Sequence, residues 1–216
     1  MSSLPNITEP MLDTLRVTVR TCMSARRYAH TLGVERAVQR MGRIYLPEKL
    51  GELRAAALLH DITKEIPLDG QLALCREGRI PLTDSEKQQK EILHARTAPV
   101  YIRQNFPYYA TDEILSAVSR HTVGAENMSV MDKLLCLADY IEEGRTYPAC
   151  VQLREYFFSH LPQVEENDRL PFLNGALLCA FDGTLLSLIA KKALISADTI
   201  AARNGLLAEG ILEKPT

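Results

Sequence analysis

The sequence lacks the signals of several protein classes. It has no tryptophan, and its five cysteines are odd in number and form no Cys-x-x-Cys pair: Cys22, Cys75, Cys136, Cys150 and Cys179. That usage argues against a disulfide framework or a zinc ribbon and predicts a reducing, cytoplasmic location. The first residues show no basic patch followed by an apolar segment, so we expect no secretory signal. No apolar run approaches about 18 residues, so we expect no transmembrane helix.

An excess of charge of one sign is also missing. The formal net charge is −2 over 216 residues, which predicts neither a nucleic-acid groove nor binding to an anionic membrane. Hydrophobic residues make up 46% of the chain, as in an ordinary globular protein. The length allows one well-buried core and is short for two full domains. A phosphate ligand would therefore need local cations or a metal.

Apolar positions recur at helical spacing almost everywhere, and convincing period-two alternation is absent. The sequence therefore predicts an all-α fold, a single helical-bundle domain over residues 1–216. Its metal-site core would span about 24–145, with C-terminal helices over 149–210 packing on it. The expected helix signals are Pro47 in a first turn, a capping box at Thr83–Glu86 that opens the helix carrying His94, and a cap at Thr111 or Asp112. We also expect helices over Met131–Glu142 and Pro171–Lys192, and a cap at Ser196–Asp198.

Histidines and aspartates end or interrupt several of these helices. His60 and Asp61 close an apolar run, and Asp139 interrupts another. His30, His94 and His121 supply further imidazoles. Imidazole nitrogens with carboxylate oxygens suit iron, manganese, cobalt or zinc, whereas magnesium and calcium sites are mostly oxygen. Any one of these residues alone is more often structural, but their joint occurrence predicts a buried metal site.

The pair His60-Asp61 can serve one ion only where its helix ends. Adjacent helical residues point about 100° apart. Pro67 disfavours helix just before itself, which fits an ending at the pair. His30 and Asp139 would then arrive from two other helices. The second oxygen of Asp61 could bridge towards His94 and His121 and support a second ion.

Cations accompany these candidate ligands. Lys64 follows Asp61 by three residues, and Arg27 precedes His30 by three. Arg145 follows the Asp139 helix. Each could hold a phosphate oxygen. A bound metal lowers the pKa of its water towards neutrality and neutralises phosphoryl oxygens. The combination predicts a phosphorylated substrate that is hydrolysed by a metal-activated hydroxide.

The ordered set His30 … His60-Asp61 … His94 … His121 … Asp139 resembles the HD superfamily of metal-dependent phosphohydrolases. The surrounding segments are similar to its YqeK-type branch from about residue 12 to the end of the chain. They are Arg27-Tyr28-Ala29-His30, Ala57-Leu58-Leu59-His60-Asp61-Ile62-Thr63-Lys64, Arg120-His121-Thr122-Val123-Gly124, Leu137-Ala138-Asp139-Tyr140-Ile141-Glu142-x-Gly144-Arg145 and Asp198-Thr199-Ile200-Ala201-Ala202-Arg203-Asn204.

The resemblance implies a symmetrical bis(5'-nucleosyl)-tetraphosphatase, which cuts diadenosine tetraphosphate into two ADP. It implies one or two iron ions, which manganese or cobalt may replace. His30, His60, Asp61 and Asp139 would hold the first ion, and His94 with His121 a second. Asp61 and Lys64 would be catalytic. The implied substrate contacts are Arg27, Lys64, Glu65, Ile66, Pro67, His94, His121, Thr122, Arg145, Thr199, Arg203 and Asn204.

Two departures and two alternatives accompany the resemblance. Glu143 stands where the family often has proline, and His94 is followed by Ala95-Arg96-Thr97 rather than a glycine-containing turn. Arg96 is therefore expected to reach the phosphates.

One alternative function is an HD enzyme acting on a deoxynucleotide or a guanosine polyphosphate, and another is a non-catalytic nucleotide sensor. The sequence leaves the metal's identity, the base preference and the oligomeric state open, a homodimer included.

Overall fold

The computed structural model describes residues 7–84 and 86–212, which form ten α-helices joined by turns, with no β-strand among them. The all-α prediction is confirmed. The helices are α1 Glu9–Thr21, α2 Ala25–Tyr45, α3 Leu50–Leu59, α4 Leu68–Glu77, α5 Lys90–Asn105, α6 Asp112–Arg120, α7 Val130–Ile141, α8 Pro148–His160, α9 Arg169–Ala190 and α10 Ala197–Glu209.

Side-chain caps fix where several helices begin. Thr111 accepts a hydrogen bond from the Ile114 amide at the start of α6. Ser196 caps α10 through the Asp198 amide, as the sequence predicted. Ser129 and Asp132 form a reciprocal capping box on α7, which the sequence analysis did not identify. Such caps satisfy amides that have no partner within their own helix.

The capping box at Thr83 and Glu86 does not begin the helix that carries His94. The Thr83 amide donates to Glu86 Oε2 at 2.8 Å, and the Glu86 amide donates to Thr83 Oγ1 at 3.3 Å. The box therefore forms, but it caps a 3-10 turn over Glu86–Gln88, and α5 begins at Lys90. The prediction of the box was right and its assignment to α5 was wrong, because the chain turns once more before the helix starts.

Helix α3 is the centre of the bundle. Every residue over 53–59 is buried, and α3 packs against α1, α2, α6 and α7. A continuous apolar core surrounds it, with members from Leu12 in α1 to Leu206 in α10. Apart from Arg54, which is paired with carboxylates, these buried residues are all apolar, as expected of a helix in a protein interior. The residues that follow Leu59, His60 and Asp61, therefore lie in the interior of the molecule.

Helix α9 and its leading turn, Glu166–Ala190, are long and apolar enough to cross a membrane by length and composition. The expectation that no segment reaches that length was wrong by this measure. Core helices inside globular proteins pass the same test. Here Phe172, Leu173 and Leu177 are buried in the core, and Asn174 donates to the Gly210 carbonyl at 2.9 Å.

Candidate metal centre

The backbone tightens where the buried helix α3 ends. After Leu59 the hydrogen bonds link residues three apart: Ile62 to Leu59 at 3.1 Å, Lys64 to Asp61 at 2.9 Å, and Ile66 to Thr63 at 3.1 Å. The sequence predicted that the helix ends at His60-Asp61, and the change from four-residue to three-residue hydrogen bonds agrees with this. His60 is 0% exposed and Asp61 is 3% exposed.

Two histidines are held in one orientation by backbone carbonyls. His60 Nδ1 lies 2.7 Å from the Ala57 carbonyl oxygen, and His121 Nδ1 lies 2.7 Å from that of Val118. A carbonyl oxygen can only accept, so each Nδ1 carries the proton. Each Nε2 is then an acceptor that faces the interior. This is the tautomer that a metal ligand requires.

Asp61 lies between two sets of histidines. Its Oδ2 is 3.4 Å from His60 Nε2 and 3.6 Å from His30 Nε2. Its Oδ1 is 3.1 Å from His94 Nε2 and 3.5 Å from His121 Nε2. One carboxylate thus presents a separate oxygen to each set. The bridging geometry that the sequence suggested for Asp61 is the geometry that the structure has.

The first set is completed by Asp139 of α7. His30 Nε2 lies 3.0 Å from Asp139 Oδ1, and ligand atoms of His30, His60 and Asp139 lie within 4.8 Å of one another. A second group with the same spacing contains His60, Asp61 and His121. The predicted ligands from four different helices therefore meet at one place, although their role as ligands stays a prediction.

Glu142 is a part of the centre that the sequence analysis missed. Its Oε1 lies 3.1 Å from His30 Nδ1, and its Oε2 accepts from the Gly144 amide at 2.6 Å. Gly33, one turn after His30, makes room for it, because a Cβ there would come within 2.3 Å of Glu142 Oε2. The spacing of three from Asp139 was the available signal, but Glu142 lies beyond the end of α7 at Ile141.

The buried charges shift one another's pKa values. Burial lowers the pKa of His30, but the adjacent Asp139 and Glu142 carboxylates outweigh it and raise the pKa to about 9. Burial lowers the pKa of His94 to about 3 and also lowers that of His60. Burial would raise the pKa of Asp61, yet its histidine neighbours hold it well below its usual range. The pKa shifts thus favour ionised Asp61, protonated His30 and neutral His60 and His94.

Several buried atoms at the centre make no hydrogen bond of acceptable geometry, namely His30 Nε2, His60 Nε2 and Asp61 Oδ1. Buried polar groups in proteins are almost always satisfied, so such atoms call for an explanation. His30 Nε2 and His60 Nε2 face Asp61 Oδ2, whereas Asp61 Oδ1 faces His94 and His121. All three are ligand atoms of the type that binds iron, manganese, cobalt or zinc. The donor set therefore fits a divalent transition-metal ion.

Three cations surround the carboxylates. Arg27 Nη1 lies 2.6 Å from Asp61 Oδ2, and Arg145 Nη2 lies 2.8 Å from Asp139 Oδ1. Lys64 Nζ lies 2.9 Å from His94 Nε2 and 3.7 Å from Asp61 Oδ1. The sequence assigned all three to phosphate oxygens. In the structure the two arginines contact the candidate metal ligands themselves, and burial lowers the pKa of Lys64.

The remaining predicted substrate contacts are less closely grouped. Thr122 Oγ1 joins the centre, 3.1 Å from His94 Nε2 and 3.0 Å from His121 Nε2. Glu65 instead accepts from the Ser24 amide at 2.7 Å, where it holds the start of α2. Ile66 and Pro67 continue this turn, and Thr199, Arg203 and Asn204 lie on α10.

Two arginines have partners away from the centre. Arg203 forms an ion pair with Asp182 of α9. Arg96 is paired with Glu86 at 2.9 Å and with Asp198 at 3.4 Å. The structure therefore pairs Arg96 with carboxylates rather than with the histidines, and a contact of Arg96 with the phosphates stays a prediction.

Comparison with known proteins gives consistent matches. The model of the HD domain family matches residues 27–144. The symmetrical bis(5'-nucleosyl)-tetraphosphatase of Halalkalibacterium halodurans is 31% identical over 192 residues, covering 88% of this chain and 94% of the relative. The protein of the same name from Bacillus subtilis is 28% identical with the same coverage.

A solved structure is similar as well. It is a predicted HD superfamily hydrolase involved in NAD metabolism from Clostridium acetobutylicum, with a TM-score of 0.78 and 29% sequence identity. The match covers 91% of this chain and 97% of that one.

Proposed function

Since the chain belongs to the HD domain family and to its branch of symmetrical bis(5'-nucleosyl)-tetraphosphatases, we propose that it hydrolyses dinucleoside tetraphosphates, with diadenosine tetraphosphate giving two ADP. The observation that carries the proposal is Asp61, whose two oxygens face separate sets of histidines beside Lys64 and two arginines. Anionic phosphates and a hydrolytic metal site need this combination of charges.

We assign His30, His60, Asp61 and Asp139 to one divalent ion, with His94 and His121 towards the phosphates or a second ion. The ion supplies Lewis acidity towards phosphoryl oxygens and lowers the pKa of a coordinated water. Iron is the metal that the resemblance implies. The unpartnered buried atoms of the site support a metal of this class.

The chain's own residues orient the site and hold its charges. The Ala57 and Val118 carbonyls fix the His60 and His121 tautomers. Glu142 does the same for His30, because it holds the proton on Nδ1. The other proton of His30, on Nε2 beside Asp139, would be displaced by an ion. Burial would raise the pKa of Asp139, but His30 and then Arg145 lower it, and Arg27 forms an ion pair with Asp61.

Lys64 Nζ and Thr122 Oγ1 both lie close to His94 Nε2, so they are the side chains that a phosphoryl group beside His94 would meet. Burial lowers the pKa of Lys64, so its proton is held less firmly than that of a surface lysine. We propose that Lys64 donates to a non-bridging phosphate oxygen and that Thr122 orients the same group. Thr199, Arg203 and Asn204 of α10 would contact one nucleoside.

The wider setting of the protein is also a proposal. Five cysteines that form no disulfide support a reducing, cytoplasmic environment. The continuous core supports one domain with its metal-site core over about 24–145 and C-terminal helices over 149–210 packing on it. A homodimer stays among the allowed oligomeric states.

The deciding experiment identifies the products. Protein purified without oxygen and loaded with ferrous iron or manganese is incubated with diadenosine tetraphosphate, and the nucleotides are separated by ion-exchange chromatography. We expect ADP alone, and no turnover after a chelator removes the metal. ATP with AMP would contradict the symmetrical cut. Hydrolysis of a guanosine polyphosphate or deoxynucleotide in place of this substrate would contradict the assigned substrate.

A further inference from the structure

We propose that a cavity beside the metal centre binds the second nucleoside diphosphate of the substrate, an inference that rests on the proposed function. The cavity has a volume of about 530 Å³ and lies between α2 and the turn that joins α7 to α8. Small-molecule sites span about 300–1,000 Å³. The residues that matter here are Arg26, Arg27, His30, Arg36, Arg145 and Tyr147.

The cavity opens directly onto the centre. His30 lines it, and His30 Nε2 lies 3.0 Å from Asp139 Oδ1. Arg27 and Arg145 line it too, and each also contacts a candidate metal ligand, Asp61 or Asp139. A phosphate chain that leaves the centre on this side therefore passes between two guanidinium groups. Guanidinium groups bind phosphate oxygens in pairs.

The lining is cationic although the whole chain is slightly acidic. Four arginines face two carboxylates, Glu142 and Glu143, while the chain has a net charge of −2. Glu142 is already bonded to His30 and to the Gly144 amide. Glu143 pairs with Arg36, and both are about half exposed, at 64% and 52% of their side chains. Such a pair is weak in water, so a phosphate can replace the carboxylate.

Arg26 adds a further positive charge to the cavity. It is exposed, and it makes no ion pair within residues 7–84 and 86–212. It stands one residue before Arg27, in the first turn of α2. An arginine in this position is available to an anionic ligand without breaking an existing contact.

Tyr147 provides a flat surface in the cavity wall. Tyr147 is 69% exposed, although a tyrosine usually buries much of its ring. It occupies the N-cap position of α8, immediately before Pro148, so the start of the helix fixes its backbone. Stacking on an exposed aromatic ring is a common and sequence-tolerant way to bind a nucleobase. Arginines that can bind the phosphates and an aromatic ring that can stack on the base match the two parts of a nucleoside diphosphate.

A symmetrical cut divides the substrate into two equal nucleoside diphosphate halves, which must extend from the metal centre in two directions. The α10 residues that we assign to one nucleoside, Thr199, Arg203 and Asn204, do not line this cavity. The α2 side therefore offers a separate wall for the other half. Arg145 and Tyr147 line both this cavity and its neighbour along α9.

Calorimetric titration of the manganese-loaded protein with ADP tests the cavity without turnover. We expect two ADP per chain, and about tenfold weaker binding at one of them in Tyr147→Ala and in Arg26→Ala, the effect of about one base stack or phosphate contact. Tyr108→Ala and Arg43→Ala are matched controls outside the cavity and should bind as the wild type does. One ADP per chain in the wild type, or two unchanged sites in both variants, would overturn the inference.

Kinetics separate this inference from the proposed function. We expect Tyr147→Ala to raise the KM for diadenosine tetraphosphate about tenfold and to raise the KM for adenosine tetraphosphate, which has one nucleoside, by a smaller factor. Equal increases for both substrates would overturn the inference. A wild-type protein that forms no ADP from diadenosine tetraphosphate would refute the proposed function, and the ADP titration would still decide whether the cavity binds a nucleoside diphosphate.

Discussion

A partly buried ion-pair cluster and the metal centre differ in how completely their charges are paired. The ion-pair cluster, formed by α1, α2 and α3, contains Glu9, Arg16, Glu35 and Arg54. Arg16 Nε donates to Glu35 Oε2 at 2.9 Å, and Arg54 Nε donates to Glu35 Oε1 at 3.1 Å. Arg54 also donates to Glu9 Oε1 at 2.9 Å. None of these residues has a buried side-chain atom without a partner.

The metal centre is the opposite case. His30 Nε2, His60 Nε2 and Asp61 Oδ1 are buried without a hydrogen bond of acceptable geometry, and their residues belong to the two groups of candidate ligands. In a balanced cluster the polar atoms find their partners within the folded chain, whereas in an unbalanced cluster some polar atoms find a partner only when a ligand binds. The comparison therefore assigns the first cluster to the stability of the fold and the second to a ligand. Mutations in the two clusters should have different consequences.

Asp61→Asn should have the largest effect, on activity. It keeps the shape of the side chain but removes the charge shared by both histidine sets, so we expect kcat to fall by about 10³-fold or more. We also expect the rise in Tm that manganese gives the wild type to disappear. Steady-state kinetics and thermal melting measured by circular dichroism, with and without manganese, check both. Activity within tenfold of the wild type would contradict the assignment of Asp61.

Glu35→Gln should have the reverse effect, on stability. Glu35 is 5% exposed and joins Arg16 to Arg54, so its neutralisation leaves the buried guanidinium group of Arg54 and the partly buried one of Arg16 short of a counter-charge. Breaking such a pair costs about 3–5 kcal/mol of unfolding free energy. Glu113→Gln, which breaks an exposed pair with Lys49, is the control and should cost about 1 kcal/mol or less. Urea denaturation measures both, and a larger loss in the control would reverse the comparison.

Glu142→Gln should weaken metal binding without unfolding the protein. Glu142 contacts the candidate ligand His30 and not the reacting groups, so it is a positioning residue. Removal of such a partner typically lowers metal affinity about 10–100-fold. Competition with a chelator measures the affinity for manganese, and Glu143→Gln is the control for the neighbouring exposed carboxylate. Equal affinities for the two variants would mean that Glu142 does not orient the ligand.

The pH dependence of stability should show the smallest effect, in the balanced cluster. Hydrogen bonding with Arg54 lowers the pKa of Glu9 from 4.5 to about 2. The folded pKa is therefore below the unfolded one, so the stabilisation is complete above pH 4.5 and is lost as the pH falls towards 2. The unfolding free energies of the wild type and Glu9→Gln should converge over this range. A constant difference would show that the Glu9 charge makes no such contribution.

The sequence predicted the helices and the meeting of ligands better than it predicted the contacts of cations. His60-Asp61 could be placed at a helix end because Pro67 follows and an apolar run precedes. The sequence did not reveal that Arg27 contacts Asp61, because local spacing says nothing about side chains that meet across 34 residues. The contact of Arg145 with Asp139, six residues earlier, was missed because it depends on the turn that follows α7. The pairing of Arg96 with Asp198, 102 residues away, could not be read from the sequence either.

Glu142 was missed for a different physical reason. A glutamate just after an amphipathic helix is usually solvated, and nothing in the local sequence says that it is buried. Its burial depends on Gly33, which is more than a hundred residues away in the chain. The capping box at Thr83 and Glu86 was identified correctly but assigned to the wrong element, because the signal for a cap does not report whether a 3-10 turn or an α-helix follows.

Gly33 also sets a limit on how far this chain can be stabilised by evolution or by design. It lies in the interior of α2, where alanine would favour the helix by about 1 kcal/mol. Yet any side chain at this position displaces the Glu142 carboxylate that holds His30. A selection for thermostability alone would therefore favour replacement of Gly33, whereas a selection for metal retention would reject it. The position records a trade-off between a more rigid helix and a correctly held ligand.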